Sequence, residues 1–154
     1  MAGNWGWTIG GVLAVGVGVA VWNLAGAPAP GPGHSMVPPD TSAIPEGAPI
    51  VEVALPDTLP EGAALGRQVF NGVCATCHGE NAAGRNGIAP PLVHRIYEPG
   101  HHGDAAFVIA ARSGVRAHHW RFGDMPPVET PISDGEMRAL VTYIRALQRA
   151  NGIL

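Results

Sequence analysis

Cys74-Ala75-Thr76-Cys77-His78, a C-x-x-C-H run, is the stretch on which the rest of the chain turns. Two cysteines at this spacing can add their thiols across the two vinyl groups of one haem, and the histidine after them can set its imidazole on the iron as proximal ligand. A zinc site or a redox dithiol also uses C-x-x-C. These are the only two Cys among 154 residues, so an all-thiolate zinc site lacks its second pair. No βαβ pattern surrounds them to suggest a thioredoxin-like dithiol. A disulfide would close a loop of two intervening residues and restrain little chain entropy. The run therefore predicts one covalently attached haem c, held by Cys74, Cys77 and His78.

Far upstream, Trp5 to Ala25 carries no charged residue. At about 1.5 Å per residue such a helix matches the roughly 30 Å hydrocarbon core of a bilayer. Trp5 and Trp7 near one end and Trp22 near the other suit the headgroup level. Residues 1–25 are expected to form one transmembrane anchor. Ala25-Gly26-Ala27 resembles a signal-peptide cleavage site, but Pro28 comes directly after it and Met1 to Asn4 contain no Lys or Arg, so a retained anchor is favoured. The first basic residue is Arg67, too distant to orient the helix by charge. Covalent haem attachment of this type resembles what bacteria do outside the cytoplasm, which places the remainder of the chain in the periplasm and the anchor in the inner membrane. Gly6, Gly10, Ala14 and Gly18 recur every fourth residue, a stripe that would let another membrane helix approach.

Nine of the chain's 15 prolines fall between Gly26 and Pro60, which forbids continuous helix and disfavours strands. Residues 26–57 read as a Pro/Ala-rich periplasmic tether. Ile50-Val51-Glu52-Val53-Ala54-Leu55 interrupts it with alternating apolar residues, a short extended segment or, by expectation, plain linker. Residues 58–154 remain for a monohaem domain with nine Arg against eight acids. The chain has no Lys, so any cationic docking face must be built from Arg, and the near-neutral balance argues against nucleic acid as a partner. A domain of about 100 residues is marginal on its apolar core alone, and a porphyrin adds apolar surface for helices to wrap.

Around the motif the periodicity is helical. Leu65, Val69, Phe70 and Val73 make a stripe on a helix expected over Glu61 to Val73. Asp104 is expected to cap a helix through Phe107, Ile109 and Ala111 that stops at Gly114. Ser133-Asp134-Gly135-Glu136 is a capping box, with Ile132 and Met137 as its hydrophobic staple. It opens a helix to about Ala150 that buries Met137, Leu140, Val141, Ile144 and Leu147. The expected fold class is all-α, three to five short helices around a covalent haem, preceded by one transmembrane helix.

From Leu59 to Leu147 this arrangement resembles the class I cytochrome c family, in particular its small bacterial membrane-anchored members. Gly66 and Phe70 are similar to the family's glycine and aromatic on the N-terminal helix, and Tyr143 to the aromatic of the C-terminal helix they cross. The resemblance implies a sixth iron ligand from a methionine on the loop before the last helix. Phe122-Gly123-Asp124-Met125-Pro126-Pro127 presents Met125 there, so the expected metal ligands are His78 and Met125. His118 and His119 are the rivals, and would give a bis-His haem of lower potential. The family's P-x-L turn, whose proline carbonyl holds the proximal imidazole, is matched by Pro90 and Leu92 in Ala89-Pro90-Pro91-Leu92.

His101-His102 and His118-His119 form two pairs, with Trp120 beside the second. They are candidates for a copper or zinc site, with solvated surface histidines as the simpler expectation. Tyr97, Trp120 and an Arg are candidate partners for the haem propionates. An iron with both axial positions filled exchanges electrons and offers no site for substrate, so no enzyme activity is expected. The resemblance implies a one-electron shuttle from a quinol-oxidising cytochrome complex to a terminal oxidase or reaction centre. A permanent haem subunit of a respiratory complex, or a ligand sensor or peroxidase-like enzyme, remains open.

Overall fold

The computed structural model describes residues 36–153. Four α-helical segments occur in order: α1 Ala63–Val69, α2 Ala75–His78, α3 Asp104–Ser113 and α4 Asp134–Ala150. Two isolated bridges, Arg85 with Ala89 and Val115 with Met125, are the extended pairings among the described residues, and no strand forms there. The all-α expectation holds for this part. The expected anchor lies outside the described residues, and among those residues no helix is long and apolar enough to cross a membrane.

The capping box forms as the sequence predicts. Ser133 accepts the Glu136 N–H through its hydroxyl oxygen while the Glu136 carboxylate accepts the Ser133 N–H, satisfying donors at both sides of the helix start. From there α4 buries Met137, Leu140, Val141, Ile144 and Leu147, all on one face. Asp104 behaves otherwise. It is the first helical residue of α3 rather than its cap, and its carboxylate accepts from Arg145 Nε at 2.8 Å. The ion pair with a buried guanidinium outcompetes a local cap.

The first helix also departs from its expected limits. It begins at Ala63, after Gly62 in the left-handed region (φ 79°), and its last turn widens into a π-helical turn, Phe70–Cys74, before α2. Such widened turns insert one residue and rotate the chain beyond them. Here the widened turn runs directly into the C-x-x-C-H run.

The core is the crossing of α1 and α4. A Cβ at Gly66 would lie 1.9 Å from the Ala139 carbonyl oxygen, so only glycine lets the two backbones touch there. One turn on, Phe70 and Tyr143 pack with ring centroids 5.8 Å apart and planes tilted by 58°. Leu92, Val93, Ala111 and Leu147 complete the cluster.

Residues 50–55 are not plain linker. Ile50 and Val51 both donate backbone N–H bonds to Ala83 O, at 3.1 and 3.2 Å. Ala54 exchanges two hydrogen bonds, each 2.9 Å, with the Asn151 side chain. Earlier, Asn86 Nδ2 donates to the Thr41 and Ile44 carbonyls, and Gly47 N–H donates to Asn86 O. With Val53 and Leu59 against the core, the chain from Thr41 to Leu59 lies along the globule as a strap without regular secondary structure.

Candidate functional site

Cys74 ends the π-helical turn and Cys77 lies in the single turn of α2, so both thiols are presented one helical turn apart. Both are free thiols, Cys77 exposed and Cys74 half-buried. Burial, and secondarily the neighbouring Cys77, pushes the Cys74 thiol up to about 11.

His78 closes α2 and is buried. Its Nδ1 lies 2.9 Å from the Pro90 carbonyl oxygen, in the turn that the resemblance singles out. A carbonyl can only accept, so Nδ1 carries the proton and Nε2 keeps its lone pair. Burial lowers the affinity of this ring for a second proton, and the bond to Pro90 offsets part of that. The imidazole is thus a neutral, oriented ligand.

The loop after His78 is tight. Gly84 N–H donates to His78 O at 2.7 Å, and a Cβ on Gly79 (φ 74°) would sit 2.6 Å from the Gly84 carbonyl oxygen. Asn81 and Ala82 also adopt positive φ, 52° and 61°. The Tyr143 hydroxyl donates to Asn81 Oδ1 at 3.2 Å, and Leu92 N–H to Ala82 O at 2.9 Å, tying this loop to α4 and to the Pro90 turn. Leu92 itself is buried in the core cluster.

Met125 stands on the loop between α3 and α4. Val115 and Met125 exchange two backbone hydrogen bonds of 2.9 Å, Asp124 accepts the Ala117 N–H at 2.8 Å, and Val128 N–H donates to Ala111 O at 2.8 Å. Gly114 (φ 74°) makes room for this clamp, since a Cβ there would meet Met125 O at 2.5 Å. The loop is therefore closed at its base, with Met125 half-buried at the closing pair.

Trp120 is buried, and its indole Nε1–H meets no hydrogen-bond acceptor of ordinary geometry among the described residues. The Tyr97 oxygen is near enough for the indole to favour its anion slightly, while burial drives the phenol well above its ordinary range. A buried N–H without an acceptor costs about 1–3 kcal/mol unless something supplies one. A haem propionate is such an acceptor. Two adjacent thiols, an imidazole with one nitrogen tied to a carbonyl and an unmet buried donor together fit haem c.

The four histidines of the two pairs converge. His101 Nε2 and His119 Nε2 are 3.1 Å apart, His102 Nδ1 lies 2.7 Å from Ile96 O, and His118 Nδ1 lies 2.9 Å from Arg116 O. Burial, then the neighbouring imidazoles, lowers the His119 pKa, and burial likewise leads the lowering at His102.

A buried polar network went unread in the sequence. Arg145, 6% exposed, donates to Asp104, to the Tyr97 and His102 carbonyls and to Gln148 Oε1, and lies 4.9 Å from the Phe107 ring centroid. Gln148 Nε2 in turn donates to Leu92 O at 2.8 Å and Tyr97 O at 3.1 Å. The signal that could have found it was position. Arg145 and Gln148 are spaced i, i+3 and come one turn after Val141 and Ile144, inside the apolar face of α4.

Residues 63–148 match the family model described as Cytochrome c. Over 90 residues, 55% of this chain, the sequence is 33% identical to the Cbb3-type cytochrome c oxidase subunit CcoP of Azospirillum brasilense. That alignment spans 28% of the relative's length. No solved structure matches.

Proposed function

Because this chain belongs to the cytochrome c family, we propose that it is a membrane-tethered one-electron shuttle between a quinol-oxidising cytochrome complex and a terminal oxidase or reaction centre. At the coarser level it is a haem electron-transfer protein carrying covalently attached haem c. In the proposal the anchor of residues 1–25 lies in a bacterial inner membrane and the haem domain in the periplasm.

When bound, the haem supplies a reversible one-electron change at its iron. Cys74 and Cys77 would hold the macrocycle by thioether bonds, and His78 and Met125 would bind its iron. Pro90 holds the His78 ring through Nδ1, Leu92 offers apolar contact, and Trp120 would donate to a propionate. The observation that carries this reading is the 2.9 Å contact of His78 Nδ1 with Pro90 O, which leaves the opposite nitrogen as a ready ligand. Met125 is favoured over the histidine rivals because it stands where the resemblance implies a methionine, on a loop that the Val115–Met125 pair closes at its base, while His119 Nε2 is directed at His101. With both His78 and Met125 bound to it, the iron would have no position left for oxygen or peroxide, which suits electron transfer.

The test is a redox titration monitored by optical spectra, with carbon monoxide added to the reduced protein. Expected are a single one-electron transition, a weak red absorbance band marking the Met–iron bond in the oxidised protein, and no carbon monoxide complex. A five-coordinate spectrum that takes up carbon monoxide would replace the shuttle with a ligand-binding role.

One observation favours a second reading. The Azospirillum brasilense relative is by name an oxidase subunit, which suits a permanent haem subunit of a respiratory complex. Purification in mild detergent separates the two, since a subunit emerges in fixed stoichiometry with its complex and a shuttle emerges alone.

A further inference from the structure

We propose that His101, His102 and His119 form a second metal site, outside the haem-attachment motif, that binds one divalent transition ion, Cu2+ ahead of Zn2+. One ring nitrogen from each of the three lies within 4.8 Å of the other two. The closest pair, Nε2 of His101 and His119, is 3.1 Å apart. Two imidazole nitrogens bound about 2.0–2.1 Å from one ion stand roughly 2.9 Å apart at a right angle and roughly 3.3 Å apart at a tetrahedral one. The observed separation falls between these. The third ligand atom, on His102, lies within 4.8 Å of both and must draw closer for one ion to bind all three.

Two of the three rings are already tied to backbone, as ligating imidazoles usually are. His102 Nδ1 donates to Ile96 O at 2.7 Å, which leaves Nε2 for the ion. The Met36 backbone hydrogen-bonds the His119 ring. Without metal, a proton between His101 and His119 accounts for their contact, and an ion replaces it.

The backbone carrying these rings is held on both sides. His101 and His102 donate their N–H groups to Glu98 O, at 3.0 and 2.8 Å. Arg145 donates to the His102 carbonyl and to Asp104, pinning the turn to α4. His119 precedes buried Trp120 on the clamped loop. His101 is exposed while His102 and His119 are half-buried, so an ion has an open approach. An all-imidazole set with no carboxylate in the group suits copper or zinc rather than magnesium or calcium, and copper leads zinc in intrinsic affinity. His118 stacks over His102, centroids 5.9 Å apart, and stands outside the group of three.

The test is calorimetric titration of the full-length, haem-loaded protein in detergent with Cu2+ or Zn2+ in separate runs, with electron paramagnetic resonance of the copper form. Expected are one equivalent of each ion, Cu2+ bound tighter, nitrogen splitting from imidazole, and an unchanged haem absorption spectrum. The His101→Ala/His119→Ala double variant should weaken binding by at least about 100-fold, the upper end for loss of an outer-shell partner alone. His118→Ala should leave it within a few-fold. Equal affinity in the double variant, an oxygen-only copper signal, or no tight equivalent in the native protein would each overturn the proposal. So would a changed haem spectrum in His119→Ala, which would assign that ring to the iron. Should the alanine variants fail to fold, His101→Gln and His119→Gln carry the same comparison.

Discussion

Gly66→Ala places one methyl group where α1 crosses α4. Its carbon would lie 1.9 Å from the Ala139 carbonyl oxygen, 2.5 Å from that carbonyl's carbon and 2.9 Å from Leu140 N. All three are backbone atoms, so no side-chain rotation relieves the clash. Ordinary contact begins at 3.4 Å, and the helices must separate by about 1.5 Å to reach it. That shift passes through the Phe70–Tyr143 ring pair and the buried Ala63 and Leu140 beside it. Overpacking a core costs about 1–3 kcal/mol, and a backbone obstacle argues for the upper end. Alanine returns about 1 kcal/mol in helix propensity, leaving a net loss of about 2 kcal/mol. In a domain near 100 residues each kcal/mol lowers Tm by roughly 4–8 °C, so a fall of roughly 8–16 °C is expected. The assay is thermal melting of the haem-loaded protein by far-ultraviolet circular dichroism, with Gly72→Ala as control. A Cβ at Gly72 meets nothing within 4 Å, and that variant should melt near the native temperature. Equal melting of Gly66→Ala and native protein would refute the crossing argument.

Met125→Ala should open the sixth iron position, giving a carbon monoxide complex in the reduced protein and loss of the red absorbance band. An unaltered spectrum would assign the ligand elsewhere. Ser133→Ala removes the capping box and should lower Tm by about 5 °C. The Ser133 hydroxyl, then its backbone N–H, holds the Glu136 carboxyl below the usual carboxylate range. A folded pKa below the unfolded one means stability present above the ordinary carboxylate value and lost as pH falls through the depressed one. The gap between native and Ser133→Ala melting should therefore narrow on acidification below about pH 4, with the Ser133 Oγ bond from the Glu136 N–H holding the remainder, and a gap constant with pH would contradict this. Asn151→Ala cuts both bonds to Ala54. Limited proteolysis should then cleave within residues 50–55 faster than in the native protein, and unchanged cleavage would mean the apolar contacts of Val53 and Leu59 suffice.

What the sequence determined by itself was local or covalent in logic. The C-x-x-C-H run names its cofactor because five adjacent residues carry the whole attachment chemistry. The capping box and the Met137 to Leu147 stripe were legible because hydrogen bonds and periodicity within one helix need no distant partner. Gly66, Phe70 and Tyr143 could be marked, since the family resemblance supplied the crossing that their spacing alone does not.

Only the tertiary structure decided what depends on partners far along the chain. Asp104 left its capping role because Arg145, 41 residues later, offered a buried guanidinium. The described part of the proline-rich stretch, residues 36–60, looked like linker by composition, yet Asn86 and Asn151 supply side-chain amides to the backbone of Thr41, Ile44 and Ala54 and hold it down. The histidine pairs, 17 residues apart in register, become one cluster only when the turn before α3 meets the loop after it. Composition records which groups are present, and the fold sets which of them come within about 3 Å, where hydrogen bonds and metal ligation operate.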